Sequence, residues 1–383
     1  MFVTCYKREC KCIRFEDEQT HHSTVISQET PLLAFQLQEH RKIITMPPKS
    51  LELKPDSYRF FQSQFTKPVW PPKETSLANG TGIITGANVG LGFAAAKAVL
   101  ALNLSHLVIG VRTVSKGEAA AAKLRSNFPK AKIDVWQVDM LSHESVQAFA
   151  KKCETLDRID FAILNAGTQN MAFTRSPEGH ESTFQVNYLS TVLLATLLLP
   201  TLKKKAPAGK PGRLTIVNSG TSLMVKVPDP KDEPALAWYD DESKFSPTST
   251  YWYSKALAHF WILKLAERVN PDDVIVNLVD PGLVRSTDLQ RNANVIVRTI
   301  AWFAKWIIAR SLQQGASTFV DAAIVKGKET HGSYVMDWKI FHYTKAVYEE
   351  YGQELASRIW DETLEMLSFV DINGILNSLS EKK

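Results

Sequence analysis

The chain predicts an α/β fold, a doubly wound parallel sheet with helices on both faces, and three observations predict it. From residue 82 onward short apolar strands alternate with helical runs rich in alanine or leucine, the order that builds a parallel sheet. The first strand passes through a glycine turn straight into a helix, Gly82-Ile83-Ile84-Thr85-Gly86-Ala87-Asn88-Val89-Gly90-Leu91-Gly92. Later, Tyr251 and Lys255 stand four residues apart at the start of a long helical pattern, where positions i and i+4 share one face. A phenol and an ammonium can then serve one site, as an acid and the charge that tunes it.

The 383 residues suffice for one large domain with a sizeable core. The net charge of +5 is spread over both signs without a basic stripe, so composition supports neither nucleic acid nor an anionic membrane as a partner. Cys5, Cys10 and Cys12 crowd the start and only Cys153 lies in the body. No disulfide framework is available, and a reducing, cytoplasmic setting is expected. Cys5, Cys10, Cys12, His21 and His22 lack the paired spacing of structural zinc sites, so no metal is expected. The opening MFVTCYKREC has no apolar h-region, and no run of eighteen apolar residues occurs, so neither a signal peptide nor a membrane span is expected.

Residues 1–45 are polar and without apolar periodicity, and read as a disordered extension or an artefact of the gene model, since Met46 opens a second beginning. Residues 46–77 carry Pro47, Pro48, Pro55, Pro68, Pro71 and Pro72 and read as an extended lead-in, with Phe60, Phe61, Phe65 and Trp70 as its expected anchors. The single catalytic domain is expected over 78–383.

Within it, the turn from Gly86 to Gly92, with Asn88, Gly90 and Leu91, is a backbone that can approach a pyrophosphate, and the helix N-terminus adds partial positive charge. The second strand, His106 to Val111, ends at Arg112. In dinucleotide folds an acidic residue there takes the ribose hydroxyl of NAD, whereas an arginine suits the 2′-phosphate of NADP. Lys116 one turn on adds to that field or is a solvated surface charge. Asp139 ends the third strand, positioned to bond an adenine amino group or to help cap the helix near Ser142. Asn165-Ala166-Gly167 ends the fourth, small enough for a ribose to lie close, with the Asn165 amide able to tie neighbouring strands. Asn187 sits inside a strongly apolar helix, Thr183 to Lys203, and needs a partner. Ser219 leaves the strand Arg213 to Asn218. Val274 to Val279 ends in Asp280-Pro281-Gly282-Leu283-Val284-Arg285-Ser286. Of ten tyrosines, only Tyr251 has a lysine four residues on.

From about Ser76 the chain resembles the short-chain dehydrogenase/reductase family. The resemblance rests on Thr85-Gly86-xxx-Gly90-x-Gly92, Asp139, Asn165-Ala166-Gly167, Asn187, Ser219, Tyr251-xxx-Lys255 and Pro281-Gly282, in family order. It implies a Rossmann-type single domain with an N-terminal extension. Tyr251 would be the general acid in carbonyl reduction or the base in alcohol oxidation, with Lys255 lowering its pKa and bonding the nicotinamide ribose. Ser219 would bond the substrate oxygen, and Asn187 would hold a water reaching Lys255. Val284 with Ser286 or Thr287 would meet the carboxamide. Val111-Arg112 with Lys116-Gly117-Glu118 resembles the NADP-preferring, retinol-dehydrogenase-like members, and the C-terminal half is similar to fungal members of secondary metabolism.

The implied activity is an NADP(H)-dependent interconversion of a carbonyl and an alcohol in a moderately large apolar molecule. Alternatives are a non-catalytic NADP-binding scaffold or sensor, and a dehydration or isomerisation at the same site. Two segments depart from compact members. Residues 223–250 read as a substrate-covering loop or a tolerated surface insertion. Residues 285–312 contain Trp302, Phe303, Trp306, Ile307 and Ile308, and the stretch 295–309 reads as a lid, an interfacial membrane helix or a dimer face. Substrate identity, direction, stereochemistry and oligomeric state are not encoded legibly.

Overall fold

The computed structural model describes residues 47–55, 62–227, 233–285 and 309–379. The expectations for residues 1–45, Phe60, Phe61, Ser286, Thr287 and most of 285–312 lie outside these residues.

The elements follow in chain order: β1 Thr81–Thr85, α1 Gly90–Ala101, β2 His106–Val111, α2 Val114–Asn127, β3 Lys132–Gln137, α3 His143–Cys153 and β4 Phe161–Leu164. A single turn at Ser182–Phe184 and a π turn at Gln185–Leu189 lead into α4 Ser190–Lys205. Then come β5 Gly212–Val217, α5 Pro247–Ala266, β6 Val274–Val279, α6 Leu312–Val320, β7 Tyr334–Met336, β8 Lys339–Phe341, α7 Gly352–Met366 and α8 Ile372–Leu379. The starts are chemically marked. Ser142 caps α3 by accepting from Ser145 N at 3.1 Å, Ser246 and Pro247 open α5, and Ser311 with Gln314 forms a reciprocal capping box on α6.

One sheet of eight strands runs β3-β2-β1-β4-β5-β6-β7-β8, parallel except for the antiparallel β7/β8 pair. Strands β1, β2, β4, β5, β6 and β7 are buried on both faces. Ile83, Val108, Ala162, Leu214 and Val276 join a core with residues of α3, α4, α5 and α7. Ile84, Ile109, Ile163 and Val279 join a second core under α1, α2 and α6. Successive strand side chains point to opposite faces, so each apolar strand feeds both layers. The run Ser182–Lys205 is long and apolar enough to cross a bilayer, yet 89% of its apolar window is buried inside the fold. It is a core helix.

Two features differ from expectation. β8 was not foreseen, because its two-residue turn is Asp337-Trp338, both at positive φ of 54° and 60°, in place of the usual Asn-Gly or Asp-Gly signal. The two expected aromatic anchors that are described do not hold the lead-in: Phe65 is 72% and Trp70 50% exposed. Polar contacts hold it instead. Ser50, fully buried, accepts from Tyr334 N at 2.9 Å and from the Tyr348 hydroxyl through its carbonyl at 2.5 Å. Gln64 Oε1 accepts from Leu283 N at 2.9 Å. Ser50→Ala strands the buried Tyr334 N–H, and is expected to cost about 1–3 kcal/mol. A urea midpoint shifted at unchanged slope is the check.

Candidate active site

Crossovers from β1 run toward β3 and those from β4 run toward β6, so the loops leaving β1 and β4 part and open a crevice at the carboxyl ends of the strands. Gly86 and Gly90 take φ of +67° and +59°, a region costly for side chains. A Cβ on Gly92 would lie 2.5 Å from both Asn165 Nδ2 and Gly86 O, so α1 starts hard against the β4 loop. Next to Gly90, no described atom lies within 4 Å of where a Cβ would be. Val89 precedes α1 without a side-chain cap, which leaves the first helical N–H groups free to face an anion. These features fit a dinucleotide pyrophosphate.

Asn88 and Leu91 are half-buried in this turn; Leu91 and Val284 both lie against Gly315 of α6. Asn165 does tie strands: its Nδ2 donates to Thr85 O at 2.9 Å, and its N–H and that of Ala166 both donate to Thr85 Oγ1 at 3.0 Å. Arg112 and Lys116 are exposed, at the end of β2 and the start of α2. Asp139 does not cap α3, a task Ser142 performs; its Oδ1 accepts from Leu141 N at 3.0 Å.

The chemistry gathers where β5 and α5 meet that crevice. Ser219 follows β5 and caps the short turn Gly220–Leu223, and its hydroxyl partners the Tyr251 phenol. Lys255, 6% exposed, donates from Nζ to Val217 O at 2.9 Å. Burial lowers its pKa to about 8, which leaves the ammonium form dominant at neutral pH. Asn187 sits in the π turn, accepts from Thr168 N at 2.9 Å and donates to Thr168 O at 2.8 Å and Ser254 Oγ at 3.0 Å. Its amide is therefore satisfied within the protein. Gly167 joins the groups, since a Cβ there would lie 3.2 Å from Asn187 Oδ1 and 3.6 Å from Lys255 Nζ. Pro281, Gly282 and Val284 line the loop after β6, and Val284 bridges to Arg310.

In this protein without ligands the Tyr251 phenol is pushed up to about 12: burial is the largest cause, the Ser219 hydrogen bond opposes it, and the Asp280 charge adds to it. Lys255 donates to the Val217 carbonyl at 2.9 Å and is not among the causes of this shift. Tyr239 is a core residue 3% exposed that stacks on Phe184 at 4.7 Å.

Sequence reasoning gave no individual role to Thr85, Ser254 and Thr221, each adjacent to or within two residues of a recognised position, or to Asp280. The signal for Asp280 was a charged residue closing a buried strand. The described part of 223–250 is no loose insertion. Glu362 accepts from Ala235 N and Leu236 N at 2.8 and 2.7 Å, and Trp238 stands edge-on to Tyr253 at 4.8 Å, in the first half of α5.

A switch-point crevice open at the start of α1 puts the protein among doubly wound α/β proteins that hold a dinucleotide. Relatives narrow that class. The family model described as short chain dehydrogenase matches residues 81–228. The short chain dehydrogenase/reductase mfmJ of Annulohypoxylon moriforme is 45% identical over 338 residues, 87% of this chain and 97% of the relative. The short chain dehydrogenase virL of Hypocrea virens is 45% identical over 321 residues, 84% of this chain and 94% of the relative. Among solved structures, an NADPH-bound short chain oxidoreductase of Pseudomonas aeruginosa shares the fold with a TM-score of 0.52 at 20% identity, covering 68% of this chain and 95% of that one. The chain belongs to the short-chain dehydrogenase/reductase family, and so to the oxidoreductases.

Proposed function

We propose that the protein interconverts a carbonyl and an alcohol on a moderately large apolar small molecule, with NADP(H), in the cytoplasm of a fungal cell making secondary metabolites. The observation that carries this reading is the Ser219 hydroxyl set against the Tyr251 phenol, with Lys255 and Asn187 meeting at Gly167. In reduction, Tyr251 gives its proton to the carbonyl oxygen while Ser219 donates a hydrogen bond to the same atom, stabilising charge as it develops. Lys255 supplies the positive charge that favours the phenolate left behind. NADPH, when bound, supplies the hydride. Gly86, Asn88, Gly90, Leu91 and Gly92 would hold its pyrophosphate. Asp139, Asn165, Ala166 and Gly167 would hold its adenosine and ribose side, and Pro281, Gly282, Val284 and Ser286 its nicotinamide. The aromatic wall of Trp238 and Tyr253 suits an apolar substrate.

Arg112, with Lys116, is the basis for choosing NADP over NAD, because exposed cations at the end of β2 can pair with a 2′-phosphate. Arg112→Leu is expected to weaken NADPH binding about tenfold while changing NADH binding little; each pair is worth about 1.5–3 kcal/mol at most. The activity test follows NADPH absorbance against a panel of ketones, aldehydes and alcohols. Turnover that survives in Tyr251→Phe would sink the assignment of the acid, and NADPH binding left unchanged by Arg112→Leu would sink the cofactor preference.

A further inference from the structure

We propose that Asp280 is a positioning residue of the Ser219/Tyr251 pair, fixing the backbone that carries Ser219 and setting a buried carboxylate beside the Tyr251 phenol. This rests on the reading of Tyr251 as the proton donor.

Asp280 closes β6 and is 1% exposed. Its Oδ1 accepts from Gly220 N at 2.8 Å, the first residue of the turn that Ser219 caps. Within that turn Thr221 donates to Ser219 Oγ twice, from its hydroxyl at 2.9 Å and from its N–H at 3.3 Å. With both acceptor positions of the Ser219 oxygen used, its own proton is free to point at the Tyr251 phenol. A carboxylate that grips Gly220 therefore sets where that proton points.

An asparagine could accept from Gly220 equally well, so the charge calls for a separate account. Asp280 Oδ2 meets no hydrogen-bond donor at bonding geometry among the described residues, and a buried carboxylate oxygen left so is costly. The groups that face it are Tyr251 of α5, Tyr334 of β7, Arg310, and Asp337 of the β7–β8 turn. Arg310 is shared: it also donates to Pro281 O at 3.2 Å and pairs with Asp337. Burial raises Asp280 to about 6 against the opposing pull of Arg310 and of the Gly220 and Gly282 N–H groups. Above that pH the carboxylate is charged and disfavours a phenolate beside it; below it the opposition is lifted.

The test is a titration of phenolate ultraviolet absorbance on the protein without ligands, as the difference between wild type and Tyr251→Phe, repeated in the Asp280→Asn background. Asparagine keeps the acceptor and removes the charge, so the Tyr251 limb is expected about one pH unit lower. A limb that does not move overturns the proposal, because a purely structural aspartate would not shift it. If Asp280→Asn does not accumulate as folded protein, Asp280→Ser, smaller and also uncharged, takes its place under the same two outcomes. No cofactor or substrate is present, so an unmoved limb leaves the proposed reaction standing, and a failed activity screen leaves the titration standing.

Discussion

Tyr251→Phe is expected to lower carbonyl reduction about 10³-fold and to leave NADPH binding within about twofold of wild type, a change of roughly 0.4 kcal/mol. The ring is kept, so packing is undisturbed, and only the transferable proton and the partner of Ser219 are removed. Fluorescence titration with NADPH separates the two outcomes: an equal loss of binding and turnover would mean that the hydroxyl holds the cofactor and does not deliver a proton. The pH dependence carries the same sign. With the phenol up at about 12 in the protein without ligands, Tyr251 is protonated throughout the neutral range. Reduction is therefore expected to fall only when pH rises far enough to ionise the phenol, and a rate that falls instead as pH drops through about 7 would count against Tyr251 as the acid.

Gly92→Ala is the second large effect. Its Cβ would sit 2.5 Å from Gly86 O and 2.9 Å from Ala87 Cα, both backbone atoms that cannot rotate away. Either α1 moves off the β4 loop or the glycine turn opens, and in both cases the N–H groups meant for the phosphates leave their places. A stability loss of about 1–3 kcal/mol is expected, with NADPH affinity lowered at least about tenfold. Gly90→Ala makes the contrast. Its side chain enters open space, so only the positive φ is penalised, at about 1–2 kcal/mol. Urea midpoints and NADPH titrations on the pair check the ranking; a Gly92→Ala protein that binds NADPH as wild type does would mean that the turn does not hold the phosphates.

Most of the element order was legible before any coordinates, because it depends on short-range spacing. β2 and β6 fall at the residues their apolar runs mark, and α3 starts at Ser142 because a serine side chain can accept the N–H of Ser145. The lead-in was legible as extended but not in how it is held. Aromatic size suggested Phe65 and Trp70, whereas small buried polar groups, Ser50 and Gln64, find partners about 219 to 284 positions away, and no local pattern announces such pairs. The segment 223–250 was equally ambiguous until Glu362 of α7 was seen to take two of its N–H groups.

The sequence by itself determined the strand–turn–helix at Gly82–Gly92, the shared face of Tyr251 and Lys255, and the family, since backbone room without a Cβ and the 3.6-residue helical period act within a few residues. Only the tertiary structure decided the strand order, the antiparallel β8, the placing of Asp280 beneath Ser219, and the direction in which the Tyr251 phenol is shifted. That direction is set by how much water is excluded and by which distant charges remain near. Desolvation and Coulomb energy depend on distances through space, which spacing along the chain does not record.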